Sequence, residues 1–394
     1  MNYADHFEKI KSFLSKHKYI YEVEILKRYP DDIDSYYMEL SKDLKGLSDE
    51  EFAQFESEAS PSEKYSKNLN ELLSEIKSLI DLEDLDIKEA KLDQNLKRKL
   101  NPKKLHELST LKTYFDEGSY ETLYDIGGGI GHLSNIFVHS KVKSAHCIDM
   151  NKEFQEAGKR KLARWLKENI EKVSFINKEV RSDLDLNLTD KTLLAGLHSC
   201  GSLSNDLIDC YKYNKKGGLL NFGCCYHKLE DHYNLSQIAK ENPLTLTNNA
   251  LHLATRSYAY TNEKDVMARR KVKSYRYALH HLGMKYFDDG FFTLGNGKGS
   301  DYDGSFSDYV YKYYPKAKGL SQAEIENFYE SFEVQEKINE NFCLDFIRGL
   351  FGRVIEMYLL LDRVLYLRED EIDAKMYQVF DRKLSPRNIA IIVD

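Results

Sequence analysis

Between residues 123 and 134 the chain reads LYDIGGGIGHLS, a β-favouring run that enters a glycine-rich turn and then the start of a helix. Its spacing is D-x-G-x-G-x-G, with Asp125, Gly127, Gly129 and Gly131. Glycines so placed tolerate unusual backbone angles, and their missing side chains let a ligand approach the main chain closely. The dinucleotide fingerprint G-x-G-x-x-G does not fit, because its last glycine falls on His132 or Ser134. Asp149 ends the next β-favouring run, SAHCID, 18 residues after Gly131. A carboxylate there can accept hydrogen bonds from both hydroxyls of a ribose, and capping the following helix NKEFQEAGKRKLARWL is compatible with that role.

Two later segments bring together side chains able to move protons or bind metals. GLHSCGSLSNDL supplies His198 and Cys200, and NFGCCYHKL supplies Cys224, Cys225, Tyr226 and His227. A histidine there can take a proton near neutral pH. Thiolate and imidazole also suit zinc, but adjacent cysteines do not match the usual C-x₂₋₄-C spacing, so no metal is expected. Small cysteines also pack well at crowded strand ends, which is the reading for Cys147, Cys210 and Cys343.

The elements that must position these residues follow from periodicity. TLYDIG, SAHCIDM, VSFINKEV, TLLAGLH and GLLNFGCC are five candidate strands separated by helix-compatible segments, which indicates a doubly wound parallel sheet. Strand character returns at KMYQVF and NIAIIV, so a final antiparallel hairpin is expected to complete the sheet. The fold class is therefore α/β, with an all-α N-terminal domain (1–95) and a catalytic domain (100–394). The core of that domain spans 100–230 and 365–394, and a mostly helical insertion fills 231–364. Pro102 is expected to open a helix at its first turn.

Charge is unevenly spread. Residues 1–90 hold 22 Asp and Glu against 12 Lys and Arg, while the whole 394-residue chain carries −7. Between Arg256 and Lys285 eight Lys and Arg face only Glu263 and Asp265, interleaved with Tyr258, Tyr260, Tyr275 and Tyr277. Such a stretch suits RNA, and a solvated helix face is the simpler and favoured reading of it. The composition, with 42% hydrophobic residues, 6 Pro and 6 Cys, excludes disordered and disulfide-scaffold classes. No secretory signal is read at the start, and the apolar run 347–367 carries too many charges for a bilayer span, so a cytoplasmic protein is expected, with no membrane partner.

The glycine pattern resembles the first motif of class I S-adenosylmethionine (SAM) methyltransferases. NPKKLHEL, DIGGGIGHLS, GLHSCGSLS, GCCYHKL, SYRYAL and FDRKLSPRNIAII, in this order, resemble the methyltransferase-like protein 25 family from about residue 100 onward. The resemblance implies a Rossmann-like fold and SAM as cofactor. Its glycine turn would lie against the methionine moiety, with Asp125 toward the ammonium group and His198 counted at the cofactor as well as in the reaction cluster. Adenine contacts are expected from Glu179, Val180, Arg181 or Asp183. A more distant resemblance is to tRNA acceptor-stem 2′-O-methyltransferases, which pair an H-x-C-G loop with a Cys-Cys-His loop; here Tyr226 replaces the first of two histidines. The (Asp/Asn)-Pro-Pro-(Tyr/Phe) loop of amine-directed enzymes and the Asn-Pro-Leu-Tyr-like loop of adenine dimethylases are both absent. The expected function is methyl transfer to RNA (tRNA or rRNA), at a ribose 2′-hydroxyl, with His198, Cys200, Cys225, Tyr226 and His227 at the reaction centre. A protein substrate and a non-catalytic SAM-binding scaffold are the alternatives.

Overall fold

The computed structural model describes residues 2–394 apart from 140–143, 182, 183, 185, 230–232, 257–261 and 296. Asp183, Tyr258 and Tyr260, named above, lie outside the described residues. Two compact units divide the chain. One comprises Met1–Ser15, Ile80–Arg256 and Val354–Asp394, and the other Lys16–Leu79 and Ser257–Arg353. The expected boundaries are therefore redrawn. Residues 16–79 form one body with most of the insertion, and 80–95 belong with the sheet.

In the sheet unit, Pro102 opens α1 (Pro102–Glu117), where the Asn101 side chain accepts from the Lys104 amide at 2.7 Å. The chain then alternates β1 (Thr122–Ile126), α2 (His132–His139), β2 (Ser144–Asp149), α3 (Lys152–Trp165), β3 (Val173–Asn177), β4 (Thr192–Cys200), α4 (Leu203–Asn214) and β5 (Gly218–Cys224). Helices α5 (Asn248–Arg256) and α6 (Phe351–Arg368) precede β6 (Lys375–Gln378) and β7 (Ile389–Val393). Strand order is β3-β2-β1-β4-β5-β7-β6; β1 to β5 run parallel, and β7 is antiparallel to both its neighbours. All five expected parallel strands and the closing hairpin are present. β5 and β7 are buried along their whole lengths, which is why they read as continuous apolar runs without alternation. The core lies between sheet and helices, with Phe222 stacked on Phe380 at 4.7 Å between ring centres.

The second unit explains the charge asymmetry. Arg269, on the helix Glu263–Phe287, pairs with Glu56 at 3.0 Å and with Asp345 at 2.7 Å, and Arg270 pairs with Asp49 at 2.8 Å. Lys273 lies 3.4 Å from Asp345. The acidic N-terminal helices and the basic stretch are thus partners within one body. Burial pushes the Asp345 carboxyl up, but Lys273, Arg269 and Arg348 outweigh it and hold the group well below the usual carboxylate range. Arg269→Ala would leave the buried Asp345 and the half-buried Glu56 short of their shared cation, at a cost of about 3–5 kcal/mol. Urea unfolding checks this; a loss under about 1 kcal/mol, the size expected of a solvated arginine, contradicts the assignment.

Candidate active site

The glycine turn leaves β1 in left-handed backbone, with φ of +68° at Gly127, +56° at Gly129 and +73° at Gly131. Gly128 is needed for a different reason: a Cβ there would lie 2.7 Å from both the Asp125 carboxyl carbon and the Cys147 sulfur. Chain neighbours aside, the one atom among the described residues within 4 Å of a Cβ placed on Gly129 is Asp149 Oδ2, at 4.0 Å, so this peptide fronts open space beside a carboxylate. Asp149 Oδ2 accepts the Gly129 amide at 2.9 Å and Oδ1 the Asn151 amide at 2.7 Å, while Asn151, rather than Asp149, caps α3. The carboxylate is half-buried and keeps lone pairs for a ligand. Gln155, which sequence reasoning missed, ties the turn down from α3 by donating to the Gly129 carbonyl at 3.0 Å.

Asp125 corrects the expectation. It is 1% exposed and accepts the amide and hydroxyl of Ser134 at 3.1 and 2.7 Å. Burial pushes its carboxyl up to about 6 against those two hydrogen bonds. In this structure it fastens the turn to α2. Glu179 is exposed and pairs with Arg181 at 3.0 Å, Val180 is buried, and no contact singles out any of the three as an adenine partner.

At the end of β4 the register with β5 shifts between Leu197 and Ser199, and the extra residue is His198, with φ +67°. β1 pairs with β4 through Asp125 and Ala195, and α4 begins at Leu203, whose side chain would meet a Cβ on Gly127 at 2.9 Å. His198 therefore follows directly on the strand segment that lies beside the glycine turn. Its Nε2 is 2.7 Å from Oε1 of Glu107, a fully buried carboxylate on α1. Ser385 donates its hydroxyl to the same oxygen at 2.7 Å, and Lys104 Nζ lies 2.7 Å from Oε2. Burial acts to raise the Glu107 pKa, but the hydrogen bond and charge of His198 and the charge of Lys104 hold it well below the usual range. The ionised carboxylate assigns the proton to Nε2 and leaves Nδ1 as the acceptor nitrogen. Burial lowers the His198 pKa more than Glu107 raises it.

Cys200, Cys224 and Cys225 also meet here, with Cys200 Sγ 3.0 Å from Cys224 Sγ and 3.3 Å from Cys225 Sγ. Tyr226 and His227 do not join them. Tyr226 is fully buried, donating to Glu356 on α6 at 2.9 Å, and Arg387 lies 3.0 Å from the same oxygen. A substrate cannot reach that hydroxyl, so a catalytic role is withdrawn. His227 stacks on His252 of α5 at 4.3 Å and meets Thr255 at 3.2 Å. Glu107, Lys104 and Ser385 were not singled out in the sequence, although they lie inside NPKKLHEL and FDRKLSPRNIAII, the segments that carry the family resemblance.

Residues 103–232 match the family described as a methyltransferase domain. Human probable methyltransferase-like protein 25 is 26% identical over 276 residues, covering 61% of this chain and 44% of that protein. The mouse protein of the same name is 23% identical over 223 residues, covering 51% and 37%. The chain thus spans less than half the length of these relatives. Among solved structures, a SAM-dependent methyltransferase from Clostridium acetobutylicum is 20% identical, covers 36% of this chain and 56% of its own, and has a TM-score of 0.25. A putative RNA methyltransferase from Pyrococcus horikoshii is 14% identical, covers 40% and 74%, and has a TM-score of 0.26. Likenesses that low leave the fold argument to the strand order.

SAM fits the residues present: the glycine turn opens beside Asp149, which would hold the ribose hydroxyls while the Gly127–Gly129 backbone approaches the ligand. Asp149→Ala is expected to weaken SAM binding by tenfold or more, since hydrogen bonds to a charged group are worth about 1.5–3 kcal/mol. Calorimetry on a variant with an unchanged circular dichroism spectrum checks this, and an unchanged affinity would move the ribose site elsewhere. Family match, strand order and open glycine turn agree that this chain carries, at residues 103–232, a methyltransferase domain of the SAM-dependent class.

Proposed function

We propose that this protein is an RNA methyltransferase whose acceptor is a ribose 2′-hydroxyl. The observation that carries the reading is the Glu107–His198 contact of 2.7 Å at the end of β4. Bound SAM would supply an electrophilic methyl group on a sulfonium. A hydroxyl oxygen becomes a good nucleophile only as its proton leaves. His198 Nδ1 takes that proton, and Glu107 positions the ring by accepting Nε2–H and stabilises the imidazolium that results. An exocyclic amine needs a different loop, and none is present after β4.

The RNA reading draws further on the resemblance to tRNA 2′-O-methyltransferases. It no longer rests on Arg269, Arg270 or Lys273, which are engaged within the second unit. Lys264, Lys271 and Lys285, all in the second unit, remain exposed and are the basic residues it retains there. As part of this proposal we read the protein as cytoplasmic. Among the described residues no helix is long and apolar enough to cross a membrane.

The test is transfer of labelled methyl from SAM to a cell extract, followed by nuclease or protease. Label removed by nuclease and recovered as a 2′-O-methyl nucleoside supports the reading, and label removed only by protease replaces it with a protein substrate. On the RNA substrate, His198→Gln is expected to lower kcat by about 10²-fold or more. Glu107→Gln should lower kcat while leaving KM for SAM unchanged, the pattern of a residue that acts through His198. Full transfer by His198→Gln would remove the histidine from the reaction.

A further inference from the structure

We infer that Cys200, Cys224 and Cys225 form a metal site for a thiophilic ion of the zinc type, with a fourth coordination position open to solvent. The three sulfurs lie within 4.8 Å of one another. The adjacent pair Cys224-Cys225 fails the usual C-x₂₋₄-C pattern, but that pattern assumes ligands from one loop, and here the third thiol arrives from the neighbouring strand.

Two departures from regular backbone bring the thiols together. The bulge at His198 inserts one residue into β4, so Cys200 and not Ser199 stands opposite Cys224. Along an extended chain Cys224 and Cys225 would point to opposite faces. Cys225 instead adopts left-handed angles, φ +49° and ψ +46°, a conformation uncommon for a residue with a side chain, and so brings its thiol to the side of Cys200. Without either departure the cluster would lose a member.

The chemistry of the cluster is that of a ligand set. Cys224 is buried, Cys225 half-buried and Cys200 exposed, so an ion could enter and would keep one face toward solvent. Sulfurs 3.0 and 3.3 Å apart are closer than neutral thiols rest in ordinary contact. With Zn–S bonds of about 2.3 Å, a tetrahedral edge is about 3.8 Å, so the sulfurs need to part by less than about 1 Å to admit the ion. Three protein ligands with an open fourth position is the arrangement of catalytic rather than purely structural zinc sites. The other cysteines behave differently: Cys147 sits against Gln155, Cys210 donates to the Arg181 carbonyl, and Cys343 is buried in the second unit. The inference stands apart from the substrate reading, because it concerns the ion and not the methyl acceptor.

The test uses the full chain, purified without chelator. Elemental analysis should find about one zinc per chain, released when a mercurial titrates the thiols. Replacing zinc with cobalt should give thiolate-to-cobalt charge-transfer absorption and the ligand-field bands of a tetrahedral site. Cys225→Ser should lose stoichiometric metal while Cys343→Ala keeps it; if Cys225→Ser does not fold, the charge-transfer intensity of the wild-type cobalt protein reports the thiolate count instead. Six freely titrating thiols with no bound metal would overturn the inference. So would four titrating thiols in the unreduced, denatured protein, which would mark a Cys200–Cys224 disulfide.

Discussion

A single carboxylate removed from water organises the reaction face. Glu107 has no exposure and remains charged, which is tolerable only because His198, Ser385 and Lys104 converge on its two oxygens. These partners come from a helix that precedes the sheet, from the end of β4 and from the segment leading into β7. Each would otherwise be free to shift independently. The charge therefore does two jobs: it ties three distant parts of the chain together, and it fixes the orientation of the histidine at the strand edge.

Around that node, the C-terminal edge of the sheet departs from regular geometry where chemistry is placed. Left-handed backbone occurs at Gly127, Gly129 and Gly131 in the cofactor turn, at His198 in the β4 bulge, at Gly201 and at Cys225. For His198 and Cys225 such angles cost free energy that surrounding structure must offset, and that cost tends to be borne at functional sites. The strain is offset locally. Glu107 holds His198, and the Gly201 amide donates to the Cys224 carbonyl at 3.0 Å, joining the two loops just below the thiols.

Much of the fold was legible because buried parallel strands leave long apolar runs and glycine turns leave a spacing pattern. Both the five strands and the closing hairpin follow from that, and Asp149 stands at the end of β2 with its carboxylate on the Gly129 amide. What failed to read were directions and partners. Asp125 is the expected residue in the expected turn, yet its side chain folds back on Ser134. Tyr226 sits in a reactive-looking loop but points into the core toward Glu356. Glu107, three and four residues beyond Lys104 and Lys103, has the spacing of an ordinary solvated helix pair, and nothing local to it reveals the histidine 91 residues away. The basic stretch misled for the same reason. Its arginines are matched to acids more than 70 and 200 positions distant, which charge counting along the chain cannot detect.

The central claim is that Glu107 fixes which nitrogen of His198 carries the proton. Heteronuclear NMR on protein labelled with ¹⁵N-histidine, with the His198 signals assigned by comparison with His198→Gln, reports both ring nitrogens at neutral pH. The account predicts a neutral ring protonated at Nε2, with Nδ1 unprotonated, and loss of that preference in Glu107→Gln. A ring protonated at Nδ1 would contradict it, since Nε2 would then have no proton to give the carboxylate and the proton-accepting nitrogen would be the one turned toward Glu107.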